Sequence, residues 1–103
     1  MALNQYKQAT IEMVVAKGWD GASITSVWLL FTEEIGELAS AIRQQAHMYR
    51  KEGMRKDRGI DVVMEMGDVF SYLFQLADML DVDLDNMWEM HRRKMNLKKY
   101  NRK

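Results

Sequence analysis

Five carboxylates fall at spacings that let a helix gather them. Glu33, Glu34 and Glu37 stand together in WLLFTEEIGELA, and Glu65 and Asp68 stand in VVMEMGDVFSYLF. Positions three apart share a helix face, so Glu34 and Glu37 point the same way, as do Glu65 and Asp68. Both pairs are set among apolar residues, where clustered like charges repel each other and lose hydration. If the two helices pack antiparallel, four carboxylates converge, and divalent cations are the natural remedy. A donor set of oxygens alone, with neither Cys nor a neighbouring His, suits Mg²⁺ or Mn²⁺ rather than zinc. The plain alternative is that each pair lines the solvent edge of an amphipathic helix. Two such pairs, neither with a basic residue four positions later, leave both readings open. Gly36 and Gly67 interrupt otherwise strong helical stretches, which points to close packing or a ligand beside them.

The elements that must position these residues are helices. The chain has no Pro and six Gly, and alternation of period two never persists. Helical spacing predicts a first helix over residues 3–16, with Leu3, Tyr6, Ala9 or Thr10, Met13 and Val14 inward, ending near Lys17-Gly18. A second is expected over 26–49, capped by Ser26 and buried through Val27, Leu30, Phe31, Ile35, Leu38 and Ile42. Residues 50–59 read as a loop. A third helix is expected from about Ile60 to Leu80, capped by Asp57, and a fourth from near Asp83 with Leu84, Met87, Trp88 and Met95 inward. The expected fold is an all-α bundle of four to five helices forming a single domain over residues 1–103.

Composition narrows the function classes. The chain has 103 residues, too few to bury a large core alone, yet 48% are hydrophobic, ten Met and three Trp included. The surplus suggests completion by a second subunit. Fifteen basic and fifteen acidic residues cancel, which removes the simplest argument for a nucleic-acid binder. The absence of Cys excludes disulfides and thiol chemistry. No stretch has the length of a membrane span and nothing reads as a signal peptide, so a cytoplasmic protein without a membrane partner is expected.

The two-part pattern, Glu-Glu-x-x-Glu at 33–37 and Glu-x-x-Asp at 65–68, resembles the all-α nucleoside triphosphate pyrophosphohydrolases of the MazG kind. This group includes the dCTP pyrophosphatases and is related to the dimeric dUTPases. The similarity covers most of residues 25–100, including the closing FSYLFQLADMLDVDLDNMWEMHRRKMNLKKY. It implies that Glu34, Glu37, Glu65 and Asp68 are Mg²⁺ ligands, with Glu33 behind them orienting the cluster or activating water. It also implies that Arg92 and Lys99 meet phosphate oxygens, that Asn96 contacts sugar or base, and that Tyr100 belongs to the same substrate-binding set. Asn101 stands where the family often has Pro. The implied reaction cleaves a nucleoside triphosphate between its α and β phosphates, in a homodimer or a dimer of dimers.

Other residues carry two readings. Trp19, Trp28 and Trp88 are core or interface anchors, or platforms for a nucleobase; Trp28, before the acidic segment, is the foremost stacking candidate. Phe31 and Tyr72 are further candidates for the pocket lining, Tyr72 because it shares a face with Glu65 and Asp68. His47 and His91 match no metal motif. Asp61 extends the acidic face or serves the first turn of its helix. Lys51, Arg55, Lys56 and Arg58 close over phosphates or form a solvated loop. Two rival functions remain: a non-catalytic helical interaction module, and a phosphoribosyl-ATP pyrophosphohydrolase on the same fold.

Overall fold

A computed structural model describes residues 2–46 and 59–101, except for the side chains of residues 59–60 and 98–101. The described residues form four helices and no strand: α1 (Leu3–Ala16), α2 (Ile24–Gln45), α3 (Gly59–Met79) and α4 (Leu84–Asn101). The expected caps at Asp57 and loop bases at 50–58 lie outside the described residues, as does His47.

Each helix end has a local cause. α1 stops in a Schellman motif: the Gly18 N–H donates to the Val15 carbonyl and the Trp19 N–H to that of Val14, both at 3.0 Å. Gly18 supplies the left-handed φ of 74° that this motif needs. α3 ends the same way, with the Asp81 N–H donating to the Asp78 carbonyl and the Val82 N–H to that of Ala77. Here Asp81 takes the left-handed position, at φ 57°. α2 begins two residues before the expected start. Ser23, not Ser26, is its cap: the Ser23 hydroxyl oxygen accepts from the Ser26 N–H at 3.1 Å. α4 is capped by Asp83, whose Oδ1 accepts from the Asn86 N–H at 3.0 Å.

α2 and α3 form the principal pair, with α1 laid against α3 and its first turn reaching the start of α4. One pocket joins Val27 and Leu30 of α2 to Tyr72 and Gln75 of α3, and another joins Ala41 and Gln44 to Asp61 and Glu65. The start of α2 therefore lies beside the end of α3, which is antiparallel packing. The core comprises Phe74, Ala77 and Leu84, with Leu3 and Val82 packed against them; Val14, Val27, Ala41 and Leu76 are also buried. A polar latch fastens α1 to the turn before α4. The Asn4 Oδ1 accepts from the Leu84 N–H at 2.8 Å, and its Nδ2 donates to Asp83 Oδ1 at 2.9 Å. Lys7 Nζ donates to the Val82 carbonyl at 2.7 Å.

Several residues expected inside are not. Tyr6, Met13, Leu30, Ile35, Ile42, Met87, Trp88 and Met95 all remain exposed. Helical spacing placed these residues on apolar stripes, but the described helices cover only part of each stripe. Gly36 and Gly67 also depart from expectation: a Cβ at either would meet nothing within 4 Å, so close packing does not explain them.

Candidate metal and substrate site

The α2–α3 seam draws the acidic residues of both helices together. Ligand-capable oxygens of Glu34, Glu37 and Glu65 all lie within 4.8 Å of one another. Glu34 and Glu65 are half-buried, while Glu33, Glu37 and Asp68 are exposed. Asp68 is outside this closest group, yet its charge still acts on Glu34 and on Tyr72. The expected convergence is thus present, with three carboxylates at its centre and Asp68 and Glu33 at its margin.

The electrostatics show the cost of this arrangement. Burial is the largest cause pushing the Glu34 carboxyl up to about 7, followed by its approach to Glu65 and then by the charges of Glu37 and Asp68. Only a shared proton turns the Glu34–Glu65 approach into a hydrogen bond. One buried oxygen on each of these two carboxyls has no hydrogen-bond partner among the described residues. Buried carboxylate oxygens facing one another without donors are what a hard divalent cation satisfies, so the residues present fit such an ion. Tyr72 is raised above its ordinary value, first by burial and then by Glu34, Asp68 and Glu33. Its hydroxyl therefore keeps its proton and remains a donor at neutral pH.

One pocket includes cluster carboxylates and a second lies farther along the same seam. The first, polar and of about 240 Å³, is lined by Glu37, Ser40, Ala41, Gln44, Asp61 and Glu65. Asp61 thus extends the acidic face as well as occupying the first turn of α3. Ser40 and Gln44 follow Glu37 at helical spacing, a signal that was present in the sequence but carried no charge to draw notice. The Gln44 side chain is buried at 4% exposure and its Nε2 donates to the Ser40 hydroxyl at 3.0 Å. The second pocket, about 460 Å³, is lined by Gly18, Trp19, Gly21, Ala22, Val27, Leu30, Tyr72 and Gln75. Its volume lies in the range of small-molecule sites, and Tyr72 links it to the acids.

The aromatic residues divide between two places. Trp28 packs on Phe31, ring centroids 5.8 Å apart, and lies roughly 120° around α2 from Glu34. The pocket beside Tyr72 is walled instead by Trp19, held in the turn after α1 with Lys17 Nζ 5.3 Å from its ring centre. Trp88 sits on α4 against the ring of His91.

Among the described residues, α4 meets the rest of its chain chiefly through α1. Arg92 and Asn96 are exposed, and Arg92 pairs with Glu89 of the same helix at 3.6 Å. Lys99 and Tyr100 continue α4, and their side chains lie outside the described residues. No helix among the described residues is long and apolar enough to cross a membrane.

Comparison with known proteins bears on the same region. Residues 22–102 match the MazG nucleotide pyrophosphohydrolase domain. The chain is also 33% identical over 90 residues to the uncharacterized protein YvdC of Bacillus subtilis (strain 168), across 82% of this chain and 83% of that one. Trp19 and the whole of α1 precede the domain match.

Proposed function

The chain belongs to the MazG nucleotide pyrophosphohydrolase family, and from that premise we propose that it hydrolyses a nucleoside triphosphate, with Mg²⁺ or Mn²⁺, to the monophosphate and pyrophosphate. The observation that carries this reading is the convergence of Glu34, Glu37 and Glu65, with two buried oxygens left without donors, on the seam that also holds a pocket of small-molecule size. These three carboxylates and Asp68 would hold the cation. A bound divalent cation supplies charge neutralisation for the triphosphate and lowers the pKa of a water molecule.

The chain's own groups account for the remaining steps. Water attacks the α phosphorus, the bond from that phosphorus to the bridging oxygen breaks, and pyrophosphate leaves with the electron pair. Glu33 at the margin of the cluster, or Glu37 at its centre, both exposed, accepts the water's proton. The protonated Tyr72 hydroxyl donates to substrate where the acids meet the larger pocket. Trp19, rather than Trp28, offers its ring to the base, because it forms the wall of that pocket.

The functional unit in this reading is a homodimer or a dimer of dimers, acting on the cytoplasmic nucleotide pool. The chain exposes 8025 Å², against about 6000 Å² for a compact monomer of its mass. Its Cα radius of gyration is 17.1 Å, where a compact domain of about 100 residues has about 13 Å. The apolar edge of the α2–α3 pair, with Trp28, Ile35, Ile42, Val63, Met66 and Phe70 exposed, supports association of the same kind.

The test is product analysis with a panel of ribo-, deoxyribo- and modified nucleoside triphosphates plus phosphoribosyl-ATP, in Mg²⁺. Stoichiometric pyrophosphate and monophosphate, with none formed in EDTA, is expected. Orthophosphate and diphosphate as products would show cleavage at a different bond. Absence of any product from folded protein would favour the interaction-module reading, and turnover of phosphoribosyl-ATP alone would reassign the substrate.

A further inference from the structure

The α2–α3 pair carries its facing side chains in two ordered lines. On α3, Glu65, Asp68, Tyr72 and Gln75 recur at intervals of three, four and three, which makes one continuous helix face. On α2, Glu37, Glu34, Leu30 and Val27 run the opposite way at the same intervals. Because the helices are antiparallel, carboxylates gather at one end of the two lines, and Val27, Leu30, Tyr72 and Gln75 wall a pocket at the other. Gln75 stands seven residues beyond Asp68, about 10 Å along α3. A nucleotide spans a similar distance from its 5′ phosphate to the pairing edge of its base. A triphosphate held at the acids therefore brings its base to this pocket.

Few groups in the pocket can tell one base from another. Gly18, Gly21, Ala22, Val27 and Leu30 bring no polar side chain to the lining. Trp19 offers a ring face, and Tyr72 stands at the acidic end, where the charges of Glu34 and Asp68 act on it. Gln75, half-buried, is the remaining polar side chain of the lining, and its amide holds both an acceptor and a donor. Its surroundings favour one orientation of that amide. The Gln75 Nε2 donates to the Ser71 hydroxyl in a long hydrogen bond of 3.4 Å. Gln75 also lines a smaller pocket of about 60 Å³ together with Asp20 and Asp78, whose carboxylates are further acceptors on that side. With the amine turned toward these oxygens, the carbonyl oxygen is left for the base, where it pairs with an exocyclic amine.

We propose that Gln75 is the residue that selects the base, favouring nucleotides with an amino group on the pairing edge, cytosine or adenine, over their keto counterparts, uracil or hypoxanthine. The proposal rests on the pyrophosphohydrolase reading and adds the substrate class of that same site. A keto oxygen set against the Gln75 carbonyl leaves two acceptors facing each other with no proton between them. Rotating the amide to meet the keto oxygen takes the amine away from Ser71 and turns the carbonyl toward the side of Asp20 and Asp78. Either choice costs a hydrogen bond that the amino base keeps.

The experiment compares matched nucleotides related by the amino-to-keto exchange: CTP with UTP, ATP with ITP, and the deoxy forms likewise. Pyrophosphate release by the full chain in Mg²⁺ gives kcat/KM for each. In the pair that the wild type turns over faster, the amino member is expected to lead by at least about tenfold. Gln75→Met has the same length without the amide and should bring that ratio close to unity, chiefly by lowering kcat/KM for the amino nucleotide. Gln75→Ala is a second variant with the same expectation, and circular dichroism checks that both are folded. The wild-type comparison itself needs no variant.

A wild type that prefers the keto member of that pair, or does not distinguish the two, overturns the proposal. An undiminished ratio in folded Gln75→Met or Gln75→Ala overturns it equally. Each of these results leaves the pyrophosphohydrolase reading standing, because pyrophosphate is still released. Wild-type protein that releases no pyrophosphate from any triphosphate removes that reading and the proposal together.

Discussion

The α2–α3 seam and helix α4 are built from similar materials and end in opposite situations. Both carry an apolar stripe beside a run of like charges. In the seam, neighbouring helices force Glu34 and Glu65 partly out of water, and that burial, with the neighbouring carboxylates adding to it, raises Glu34 to about 7. On α4 the stripe beyond Leu84 stays exposed among the described residues, and Arg92 stays hydrated with its side chain 61% exposed. Burial gives a carboxylate cluster its chemistry, whereas the exposed cations of α4 keep their hydration.

The largest effect expected from breaking this contrast is on the seam. Glu65→Gln keeps the size of the side chain but removes a charge from the centre of the cluster. It should lower metal-dependent pyrophosphate release by at least about 100-fold, since even outer partners of metal ligands cost 10- to 100-fold. Steady-state assays on variant protein with unchanged circular dichroism would check this. A loss below about tenfold would place the chemistry elsewhere.

The next contrast concerns stability. Phe74 is part of the small core shared by α1, α3 and the start of α4, so Phe74→Ala should cost about 3 kcal/mol in urea denaturation. Met95→Ala, on the uncovered stripe of α4, should instead weaken self-association and leave the stability of the dissociated chain nearly unchanged. Comparing sedimentation with denaturation for the two variants separates these effects. Asn4→Ala should fall below Phe74→Ala, at about 1 kcal/mol, because it removes the acceptor for the Leu84 N–H at the latch.

A smaller effect follows from pH. The folded-state pKa of Glu34 is raised above its ordinary 4.5 to about 7, because ionisation is disfavoured in the seam. Its contribution to stability is therefore complete below about pH 4.5 and is lost as pH rises through about 7. In EDTA the thermal midpoint should fall between pH 5 and 8, and Glu34→Gln should flatten that fall. Excess Mg²⁺ should oppose it, since a cation stabilises the ionised carboxylates. A wild-type midpoint that rises across this range in EDTA would contradict the electrostatic account.

Much of this was legible in the sequence, because helices and acid spacing are local properties. The span of α1, the acidic faces of α2 and α3, and the start of α4 near Asp83 all follow from periodicity and residue type. What escaped notice depends on where helices meet. Ser23 and Ser26 are both competent caps, and the sequence does not distinguish the one with extended backbone. Trp19 and Trp28 are both competent stacking residues, and only the turn at Gly18 sets Trp19 beside Tyr72. Ser40 and Gln44 became visible once their spacing from Glu37 faced Asp61 and Glu65 across the seam. Of the inward faces assigned to α2 and α4, Val27 and Leu84 are buried and Phe31 and Leu38 half-buried, while Leu30, Ile35, Ile42, Met87, Trp88 and Met95 stay exposed.

The most direct test of the central claim, that the α2–α3 seam is a divalent-cation site, is Mn²⁺ titration of the nucleotide-free protein by calorimetry, comparing wild type, Glu34→Gln, Glu65→Gln and Arg92→Ala. Saturable binding is predicted for wild type and Arg92→Ala, with a marked loss of affinity in both seam variants. Equal binding by all four proteins, or no binding by any, would contradict it.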